Sequence, residues 1–472
     1  MADQLTEILP MQHGGLVQIE HHTYVPKNPS PMVIKTMAGE VAMSDDQVSA
    51  VTAIMKDSTP IYRLCGGAGV GKSAVIDYLA RNLDVTVCAT TARAALNVGG
   101  CTVDSLFAFR RQTWKVKDRL QKKNMEECGD WIIIDEASMI GTCMATIIHD
   151  AICAHGKRLI LVGDWAQAPP VKDTWPVHHP LMDMGETIRL TTNHRQGEGL
   201  YLNCLKEIRA GMISPQTRQV FGLRVAQCPQ DDLYTYMYGT NRTAEAHNDQ
   251  RFKILLEQTR CPPVMTKAYY HPVDQEHAPT DGGIIEKILD DCRLAHHQRF
   301  CVGARVMTTI NNYGRAFVNG DIGVVTGYFS AHDDLSIEDD LFDAWRRRVP
   351  AKHVFYQRYD EPIGDHIVGF TVRLQRNDEE VLVPFMDEEM HKPNGELLYR
   401  VRGLPLRLAY AMTVHKTQGA TLDRAFLAMN TLWWEHGLAY VGLSRTRSID
   451  GLLLEAWRPD FIHCDPRIIP YL

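Results

Sequence analysis

The stretch Gly66-Gly67-Ala68-Gly69-Val70-Gly71-Lys72-Ser73 has the spacing G-x-x-x-x-G-K-S. It follows an apolar run, Ile61 to Cys65, that is typical of a strand, and it precedes Ala74 to Ala80, which has the pattern of an amphipathic helix. Glycines in this context let backbone N–H groups close around phosphate oxygens at the start of a helix. Lys72 is then expected to reach the β- and γ-phosphates of a nucleoside triphosphate, and Ser73 to bind Mg²⁺. The alternative is a glycine-rich turn that binds no ligand.

An apolar strand that ends in two carboxylates lies further along the chain, Ile132-Ile133-Ile134-Asp135-Glu136. Asp135 is expected to hold a hydrated metal ion, and Glu136 to orient and deprotonate a water molecule. Together the two motifs predict a site that hydrolyses a nucleoside triphosphate with the help of Mg²⁺.

The composition is that of a globular protein without a membrane span. Hydrophobic residues make up 45% and charged residues 23% of the 472 residues, which is the ordinary range. No apolar run reaches the ~18 residues that a membrane helix needs, and Met1 to Gln4 lacks the features of a secretory signal. The 12 cysteines show no C-x-x-C pair, which favours free thiols over disulfides or zinc. The formal net charge of −7 does not favour nucleic acid, but the positive charge that binds phosphates is local, so binding is not excluded.

Strand-like and helix-like segments alternate from Ser44 onward, which predicts a parallel, doubly wound sheet. Ligands of such sheets bind at the carboxyl ends of the strands, where Lys72, Asp135 and Asp164 fall. The strand-like runs of this first set are 61–65, 84–89, 131–135 and 159–163. A second α/β set follows, with strand candidates at 233–238, 304–309, 406–413, 424–429 and 451–456.

Residues 321–403 differ in character and predict an inserted antiparallel β-module. Turn signals at Asn377-Asp378 and Asn394-Gly395 separate its short alternating segments, which are 367–374, 381–385 and 397–402. The predicted fold class is therefore α/β, with two parallel-sheet P-loop domains and this insertion. The predicted boundaries are an N-terminal extension at 1–40, a first domain at 41–189, a second domain at 190–320 and 404–472, and the inserted module at 321–403.

Three further residues are placed to couple a nucleotide to a second domain. Gln167 follows a strand, where its amide can contact both the γ-phosphate and the attacking water. Arg195 and Arg445 belong to the second domain and can stabilise charge on the transferring phosphoryl group, in the manner of arginine fingers. Nucleotide in the cleft is then expected to draw the domains together, and hydrolysis to release them.

The ordered set of motifs resembles that of the superfamily 1B helicases, the group that contains RecD and the phage helicase Dda. The resemblance covers Ser44 to Arg447 and is greatest to Dda-type enzymes in the stretch from His415 to Gly442. It implies two RecA-like domains, ATP as the nucleotide, an SH3-like fold for the inserted module, and 5′→3′ movement on single-stranded DNA.

The resemblance also implies roles for individual residues. Gln47 takes the place of a glutamine that reads adenine. The residues that correspond to motifs touching DNA are Thr91, Arg93, Thr102, Ser105, Thr413 and His415. The residues implied in nucleotide binding are Gln47, Gly66, Gly67, Ala68, Gly69, Val70, Gly71, Lys72, Ser73 and Gly419.

Phe109 to Lys123 is a basic run with one acid, Asp118, and with Trp114 in its middle. Such a run suits a surface that follows a single strand, because cations neutralise the backbone and an aromatic ring stacks on bases. In the family this interval, 107–128 here, holds the hairpin or wedge that splits the duplex. The expected DNA contacts in it are Trp114, Lys115 and Lys117. The alternative is a solvated basic helix.

These observations predict an ATP-dependent DNA helicase that translocates 5′→3′ and unwinds duplex DNA. Two alternatives remain, a superfamily 1 helicase that acts on RNA and a non-unwinding P-loop ATPase that remodels nucleic-acid complexes. The expected partners are single-stranded and forked duplex DNA, with single-strand-binding or replisome proteins, and the expected state is a monomer without membrane contact. Resemblance alone suggests the cytoplasm of a bacterium or of a phage-infected host.

Overall fold

Two parallel sheets and a group of antiparallel sheets make up the part of the chain that the computed structural model describes. The described residues are 33–36, 39–56, 59–110, 115–170, 173–176, 178–193, 199–229, 231, 233–261, 263–273, 282–292, 294, 297–312, 316–330, 367–391, 397–429 and 435–472. Across these ranges, no helix has the length and apolar character to cross a membrane.

The chain up to residue 190 forms the first α/β unit. Its strands are β1 (Val33–Thr36), β2 (Gly39–Ala42), β3 (Ile61–Gly66), β4 (Val85–Ala89), β5 (Cys101–Thr102), β6 (Phe109–Arg110), β7 (Lys115–Val116), β8 (Trp131–Asp135), β9 (Arg158–Gly163) and β10 (Glu186–Leu190). Its helices are α1 (Asp45–Lys56), α2 (Lys72–Asn82), α3 (Ala92–Asn97), α4 (Val103–Leu106), α5 (Asp118–Glu127), α6 (Thr142–His155) and α7 (Pro180–Asp183).

The first unit is organised around a six-stranded parallel sheet with the strand order β10-β3-β9-β8-β4-β5. Every residue of β3 and β8 is buried, as expected when helices cover both faces of a parallel sheet. The four apolar runs that predicted strands coincide with β3, β4, β8 and β9. The carboxyl ends of β3, β8 and β9 bring Gly66, Asp135 and Asp164 to one edge of the sheet.

A short antiparallel hairpin interrupts the first unit between α4 and α5. Its strands β6 and β7 pair Phe109 with Val116 and Arg110 with Lys115. Helix α5 then begins at Asp118, which stands in the first turn, where a negative charge is favourable. The predicted small hairpin insertion is therefore present.

The remaining described chain carries the second α/β unit and the antiparallel sheets. Its helices are α8 (Leu200–Arg209), α9 (Pro215–Gly222), α10 (Asn241–Thr259), α11 (Gly282–Asp291) and α12 (Leu438–Leu443). Its strands are β11 (Thr235–Tyr238), β12 (Val264–Lys267), β13 (Tyr269–Pro272), β14 (His297–Phe300), β15 (Arg305–Thr308), β16 (Ile322–Ser330), β17 (Ile367–Leu374), β18 (Glu380–Pro384), β19 (Met386–His391), β20 (Leu397–Gly403), β21 (Leu406–Leu408), β22 (Ala411–Thr413), β23 (Ala425–Leu427) and β24 (Leu452–Leu454).

The second parallel sheet has four strands in the order β22-β11-β23-β24. The antiparallel part contains a five-stranded sheet, β18-β17-β16-β15-β21, a three-stranded sheet, β13-β20-β19, and the pair β12-β14. The predicted fold class, two parallel-sheet domains with an inserted β-module and a small hairpin, is confirmed. The exact domain boundaries stay a prediction.

Two strand candidates of the second α/β set were wrong in their placement. Residues 305–308 lie in the antiparallel five-stranded sheet, between β16 and β21. The candidate at 406–413 is split into β21 and β22, because the chain passes from one sheet to the other at Ala409 and Tyr410. Ala409 donates its N–H to Arg305 of the antiparallel sheet, whereas Tyr410 accepts from Tyr236 of the parallel sheet.

One contiguous apolar cluster joins the two α/β units. It contains Ile132 and Leu161 from the first sheet, Met237 and Leu427 from the second, and Trp165 from the loop after β9. Apolar burial is therefore continuous across the boundary, which holds the loops at the ends of both sheets against each other.

Candidate active site

The phosphate-binding loop has the backbone shape that its sequence predicts. Gly69 and Gly71 have φ angles of 84° and 76°, in the left-handed region that favours glycine. Helix α2 begins directly after Gly71, at Lys72, so the N–H groups of its first turn open toward the loop. Ser73 follows in that same turn. The loop therefore forms an anion-binding cradle at a helix N-terminus.

The Lys72 ammonium lies against the first residues of this loop. Its Nζ donates to the carbonyl oxygens of Gly66 and Gly67 at 2.8 and 3.0 Å. A lysine held in this way places a positive charge within reach of the phosphate-binding backbone. Lys72 therefore lies at the phosphate loop, and its contact with the β- and γ-phosphates stays a prediction.

Residues outside the loop support its outer side. The carboxamide of Gln47 is buried, and its Nε2 lies 3.3 Å from the carbonyl oxygens of both Val70 and Gly71. Its Oε1 accepts the N–H of Ser44 at 3.0 Å. The structure therefore shows Gln47 bracing the loop, and its contact with adenine stays a prediction.

Asp46, beside Gln47, connects the start of α1 to the segment that leads to Arg195. Its Oδ2 accepts the N–H groups of Thr191 and Thr192 at 2.7 and 2.9 Å, and its Oδ1 accepts the Ser44 hydroxyl at 2.6 Å. Burial alone would raise the pKa of Asp46, but these hydrogen bonds outweigh it and hold the pKa at about 2.

The two carboxylates at the end of β8 lie side by side in a largely enclosed position. Glu136 has a φ angle of 53°, which is unusual for a residue with a side chain, and its N–H bonds Oδ1 of Asp135 at 2.9 Å. Burial raises the pKa of Asp135 against the charge of Lys72. Burial and then the charge of Asp135 raise the pKa of Glu136, while Lys72 and Arg445 oppose the rise. Such a pair suits a metal ligand next to a general base.

A buried hydrogen-bond network joins the phosphate loop to the second unit through Asp164. The Ala68 N–H donates to the Tyr440 hydroxyl at 3.3 Å, and that hydroxyl donates to Oδ2 of Asp164 at 2.8 Å. Arg209 donates through Nε to Oδ1 of the same carboxylate at 2.9 Å. Burial would raise the pKa of Asp164, but the charges of Arg209 and Lys72 and the Tyr440 hydroxyl lower it. Asp164 is therefore a buried anion shared by both units.

Two glycines of the second unit also lie close to residues of the site in the first unit. A Cβ at Gly419 would lie 3.4 Å from Oε1 of Glu136. A Cβ at Gly437 would lie 2.3 and 2.5 Å from the carbonyl oxygens of Ala166 and Gln167. Within the described ranges, the buried Oε1 of Gln167 has no hydrogen-bond partner, which leaves an acceptor for a water or another donor in the cleft.

Of the two predicted arginine fingers, the structure describes Arg445 only. Arg445 is buried and donates to the carbonyl oxygens of Val441, Thr417 and Ala420 and to the Ser444 hydroxyl. Burial lowers its pKa, and the negative charge of Glu136 opposes this. Arg195 lies outside the described residues. The action of both arginines on phosphate stays a prediction.

The predicted DNA contacts of the first unit stabilise local structure. Thr91 and Thr102 cap α3 and α4, because their hydroxyls accept the N–H groups of Ala94 and Ser105 at 3.2 Å. The Thr102 hydroxyl also bonds the Ser105 hydroxyl at 2.9 Å. Capping leaves these side chains at helix N-termini, where a DNA phosphate is also favoured.

Arg93 instead bridges the first unit to the turn before β16. Its Nη1 donates to the Gly320 carbonyl at 3.2 Å. Burial lowers the pKa of Arg93, and the nearby charge of Asp321 opposes this effect. For Arg93 to contact DNA through Nη1, its hydrogen bond to the Gly320 carbonyl would have to break.

The basic run lies on the hairpin and on the helix after it. Lys117 is exposed and directly precedes α5. Lys115 is in β7, but its side chain is outside the described part, as is all of Trp114. Lys122 and Lys123 face Glu126 and Glu127 one turn later, at 3.9 and 3.6 Å. The basic run therefore divides between the hairpin, with Lys115 and Lys117, and α5, with Lys122 and Lys123.

Thr413 and His415 lie at the end of β22 in the second unit. Thr413 is buried, and His415 Nε2 is 2.9 Å from Oε2 of Glu435. A groove beside Thr413 is bordered by α10, β14, β21 and β22. Its basic side chains are those of Lys416, Arg407 and Arg299. Two acids of α10 that line the same groove, Glu245 and Asp249, face Arg407 and Arg299 at 3.9 and 3.4 Å. The sequence motif indicated this region, but only the fold adds Arg407 and Arg299 to it.

Arg209, like Tyr440, is a residue of the site that the sequence did not indicate. It ends α8, where a cation is expected simply because it complements the helix dipole. Its hydrogen-bond partner Asp164 lies 45 positions earlier in the sequence. A short-range pattern contains no signal for such a pairing.

Comparison with known proteins gives one consistent result. Residues 42–221 match the family model described as an AAA domain. The chain is 28% identical over 461 residues to the ATP-dependent DNA helicase Pif1 of Bdellovibrio bacteriovorus, with 92% of each chain covered.

Solved structures agree in fold. The Pif1 helicase from Candida albicans has a TM-score of 0.70 at 22% identity, covering 91% of this chain and 99% of that one. The Bacteroides Pif1 helicase in complex with ADP-AlF3 and ssDNA has a TM-score of 0.66 at 20% identity, covering 91% and 96%. The predicted superfamily is confirmed, and Pif1 rather than Dda is the name that these relatives bear. The chain is therefore similar to Pif1 helicases in sequence and in fold.

Proposed function

We propose that this chain is an ATP-dependent DNA helicase that moves 5′→3′ along single-stranded DNA and unwinds duplex DNA. The observation that carries the proposal is the shared phosphate loop. Ala68 of the first unit bonds Tyr440 of the second, and Tyr440 bonds Asp164. Both units therefore meet at the place where a triphosphate would bind, so binding and hydrolysis alter how they are joined. A motor needs this arrangement, whereas a one-domain triphosphatase does not.

The side chains around the loop divide the chemistry between them. Lys72 neutralises charge on the β- and γ-phosphates, and Glu136 takes a proton from the attacking water. Gln167 orients that water and signals the presence of the γ-phosphate. Arg195 and Arg445 stabilise the charge that develops on the transferring group. For this, Arg445 exchanges bonds that it now makes to carbonyl oxygens.

The oxygen donors at the site suit Mg²⁺. A hydroxyl at Ser73 and a carboxylate at Asp135 are the ligand types that this ion prefers, and these two residues would hold it. Asp135 and Glu136 lie together in one enclosed place, so a cation beside them offsets the burial that raises the pKa of each. When bound, the ion neutralises negative charge on the phosphate oxygens.

The nucleic-acid surface in this proposal runs across both units. The hairpin at 107–128 meets the fork, and the groove beside Thr413, with Lys416 and Arg407, follows the strand. DNA as the substrate and the 5′→3′ direction rest on the superfamily resemblance and on the names of the relatives. The same resemblance suggests a monomer, a forked duplex substrate, single-strand-binding or replisome partners, and a cytoplasmic location.

One experiment tests activity, substrate and direction together. Duplexes with a 5′ or a 3′ single-stranded tail are incubated with enzyme, ATP and Mg²⁺, and strand displacement is measured. We expect unwinding of the 5′-tailed duplex only. Lys72→Ala should abolish both unwinding and hydrolysis because it deletes the charge at the phosphate loop. Equal unwinding from both tails, or turnover by Lys72→Ala, would contradict the proposal.

Two matched measurements separate the alternatives. Stimulation of ATP hydrolysis by DNA and RNA oligonucleotides of one sequence distinguishes a DNA helicase from an RNA helicase. Hydrolysis that single strands stimulate, without strand displacement, would instead indicate a non-unwinding remodeller.

A further inference from the structure

Arg209 lies directly beside the first residues of the phosphate loop. A Cβ built at Gly67 would be 3.7 Å from both Cδ and Nε of Arg209. The Lys72 ammonium is bonded to the carbonyl oxygen of the same Gly67. Arg209 and Lys72, the lysine that in this motif reaches the β- and γ-phosphates, therefore lie at the same residue of the loop.

The surrounding bonds fix the guanidinium in this place. Its Nε donates to Oδ1 of the fully buried Asp164 at 2.9 Å. The helix that carries it is fastened to the second unit at its other end, since the Tyr201 hydroxyl donates to the Leu443 carbonyl at 2.5 Å and contacts the Thr446 hydroxyl at 3.0 Å. An arginine held by one edge and mounted on an anchored helix keeps its remaining donors in a constant position.

The Nη2 group of this guanidinium has an unsatisfied hydrogen-bond donor within the described part of the chain. Nη2 of Arg209 is buried, and no residue in the described ranges accepts its hydrogen bonds. A buried charged donor without a hydrogen-bond partner is unfavourable, so a ligand that supplies an acceptor here would be stabilised. Phosphate oxygens are the acceptors that a guanidinium fork matches best, in charge and in geometry.

Arg445 is in the opposite situation. Its three guanidinium nitrogens all have acceptors inside the second unit. Arg209 needs no such exchange to meet a phosphate, because Asp164 occupies Nε and leaves Nη2 available.

We propose that Arg209 binds the terminal phosphate of bound nucleoside triphosphate through Nη2. This rests on the proposed ATP-dependent function and names a residue for the same site. Asp164 keeps the guanidinium ionised and oriented while Nη2 recognises the group that distinguishes triphosphate from diphosphate.

The test compares two ligands without turnover. Calorimetry measures the affinity of Arg209→Lys and Arg209→Ala for ADP and for a non-hydrolysable triphosphate analogue. Arg209→Lys retains a cation for Asp164 but lacks the fork, so it guards against a folding defect in the alanine variant. We expect the triphosphate analogue to bind about 10-fold more weakly in both, with ADP affinity within about 2-fold of the unaltered protein. Turnover should fall about 10³-fold, as for other arginines at a transferring phosphate.

Arg218→Ala is the matched control, because Arg218 is exposed on the neighbouring helix α9. Equal losses for both ligands, or no loss for the triphosphate analogue, would overturn the inference. The proposed function fails separately, if the unaltered protein and Arg218→Ala show no hydrolysis that DNA stimulates. The difference in affinity between ADP and the triphosphate analogue tests the role of Arg209 whether or not DNA stimulates hydrolysis.

Discussion

Gly437 packs against the main chain of Gln167 so closely that a Cβ at position 437 would lie 2.5 Å from the Gln167 carbonyl oxygen. Gly437 has a φ angle of 73° and directly precedes α12, the helix that carries Tyr440. The loop that would sense the γ-phosphate is therefore in backbone contact with the second unit. Movement of either one is transmitted without a flexible side chain between them.

Gly437→Ala should uncouple the units. The new methyl group adds backbone strain and also collides with two carbonyl oxygens. We expect hydrolysis stimulated by single-stranded DNA to fall about 10-fold or more, since small displacements at a reacting centre are costly. Gly156→Ala is the control, because Gly156 has a φ angle of 62° but open space around its Cα. Similar losses in both variants would show that strain, and not the contact, is responsible.

Glu136→Gln should abolish hydrolysis yet raise the melting temperature at pH 8. Burial and the charge of Asp135 raise the pKa of Glu136 above 4.5. A carboxyl group with a raised pKa in the folded state stabilises that state below its unfolded pKa, and this stabilisation is lost as the pH rises through the folded value. Ionised Glu136 is thus unfavourable at pH 8, and glutamine relieves this. The difference in melting temperature should vanish near pH 4, and a difference that is the same at both values would refute the account.

The same shift predicts the acid limb of the activity profile. Glu136 acts as a base only when ionised. The ratio kcat/KM, which reports the free enzyme, should therefore begin to fall at a pH above the ordinary glutamate value of 4.5. Fluorescent nucleotide binding measured in parallel separates loss of the base from loss of affinity.

Asp46→Ala should destabilise the fold in a pH-dependent way. The pKa of Asp46 is about 2 in the folded protein and 3.8 in its ordinary state, so its stabilisation is present above 3.8 and is lost as the pH falls through 2. Because this carboxylate is partly exposed, we expect a loss of roughly 1 kcal/mol at pH 7, which shrinks by pH 3. Urea unfolding of Asp45→Ala, an exposed neighbour in the same helical turn, gives the control. An equal effect of both variants would contradict the role of the Thr191 and Thr192 bonds.

Neutralising Lys115, Lys117 and Arg119 should reduce unwinding more than hydrolysis. These cations lie on or next to the hairpin, where they would contact DNA at the fork. The salt dependence of single-strand binding should weaken by about 0.7 in slope for each phosphate that the variant no longer neutralises. Lys122 and Lys123, which face Glu126 and Glu127, are the control pair. Parallel losses of both activities would indicate a folding defect instead.

The parts of the site that the sequence predicted are those that form from neighbours in the chain. The loop glycines, Lys72 and the Asp135–Glu136 pair each depend on a strand, a turn or a helix within a few residues. Their backbone angles and placement at strand ends therefore follow from local pattern. The hairpin was predicted from the family resemblance, whereas the basic run with its aromatic ring indicated only a surface that follows a single strand.

Residues that meet only through tertiary structure were not predictable. Strand β15 is only four residues long, and nothing in its sequence distinguishes a parallel from an antiparallel partner. Arg209 resembles any basic helix end. Gln47 was assigned to adenine by resemblance, yet it contacts the loop backbone here because Val70 and Gly71 present carbonyl oxygens to it.

The bond from Ala68 to Tyr440 also has a kinetic consequence. An amide of the phosphate cradle already has an acceptor, so an arriving phosphate and the tyrosine hydroxyl compete for one donor. The hydroxyl must withdraw before the cradle is complete. Rapid-mixing measurements are therefore expected to show a nucleotide association rate that levels off at high nucleotide concentration, at the unimolecular rate of that withdrawal, and Tyr440→Phe should remove the plateau.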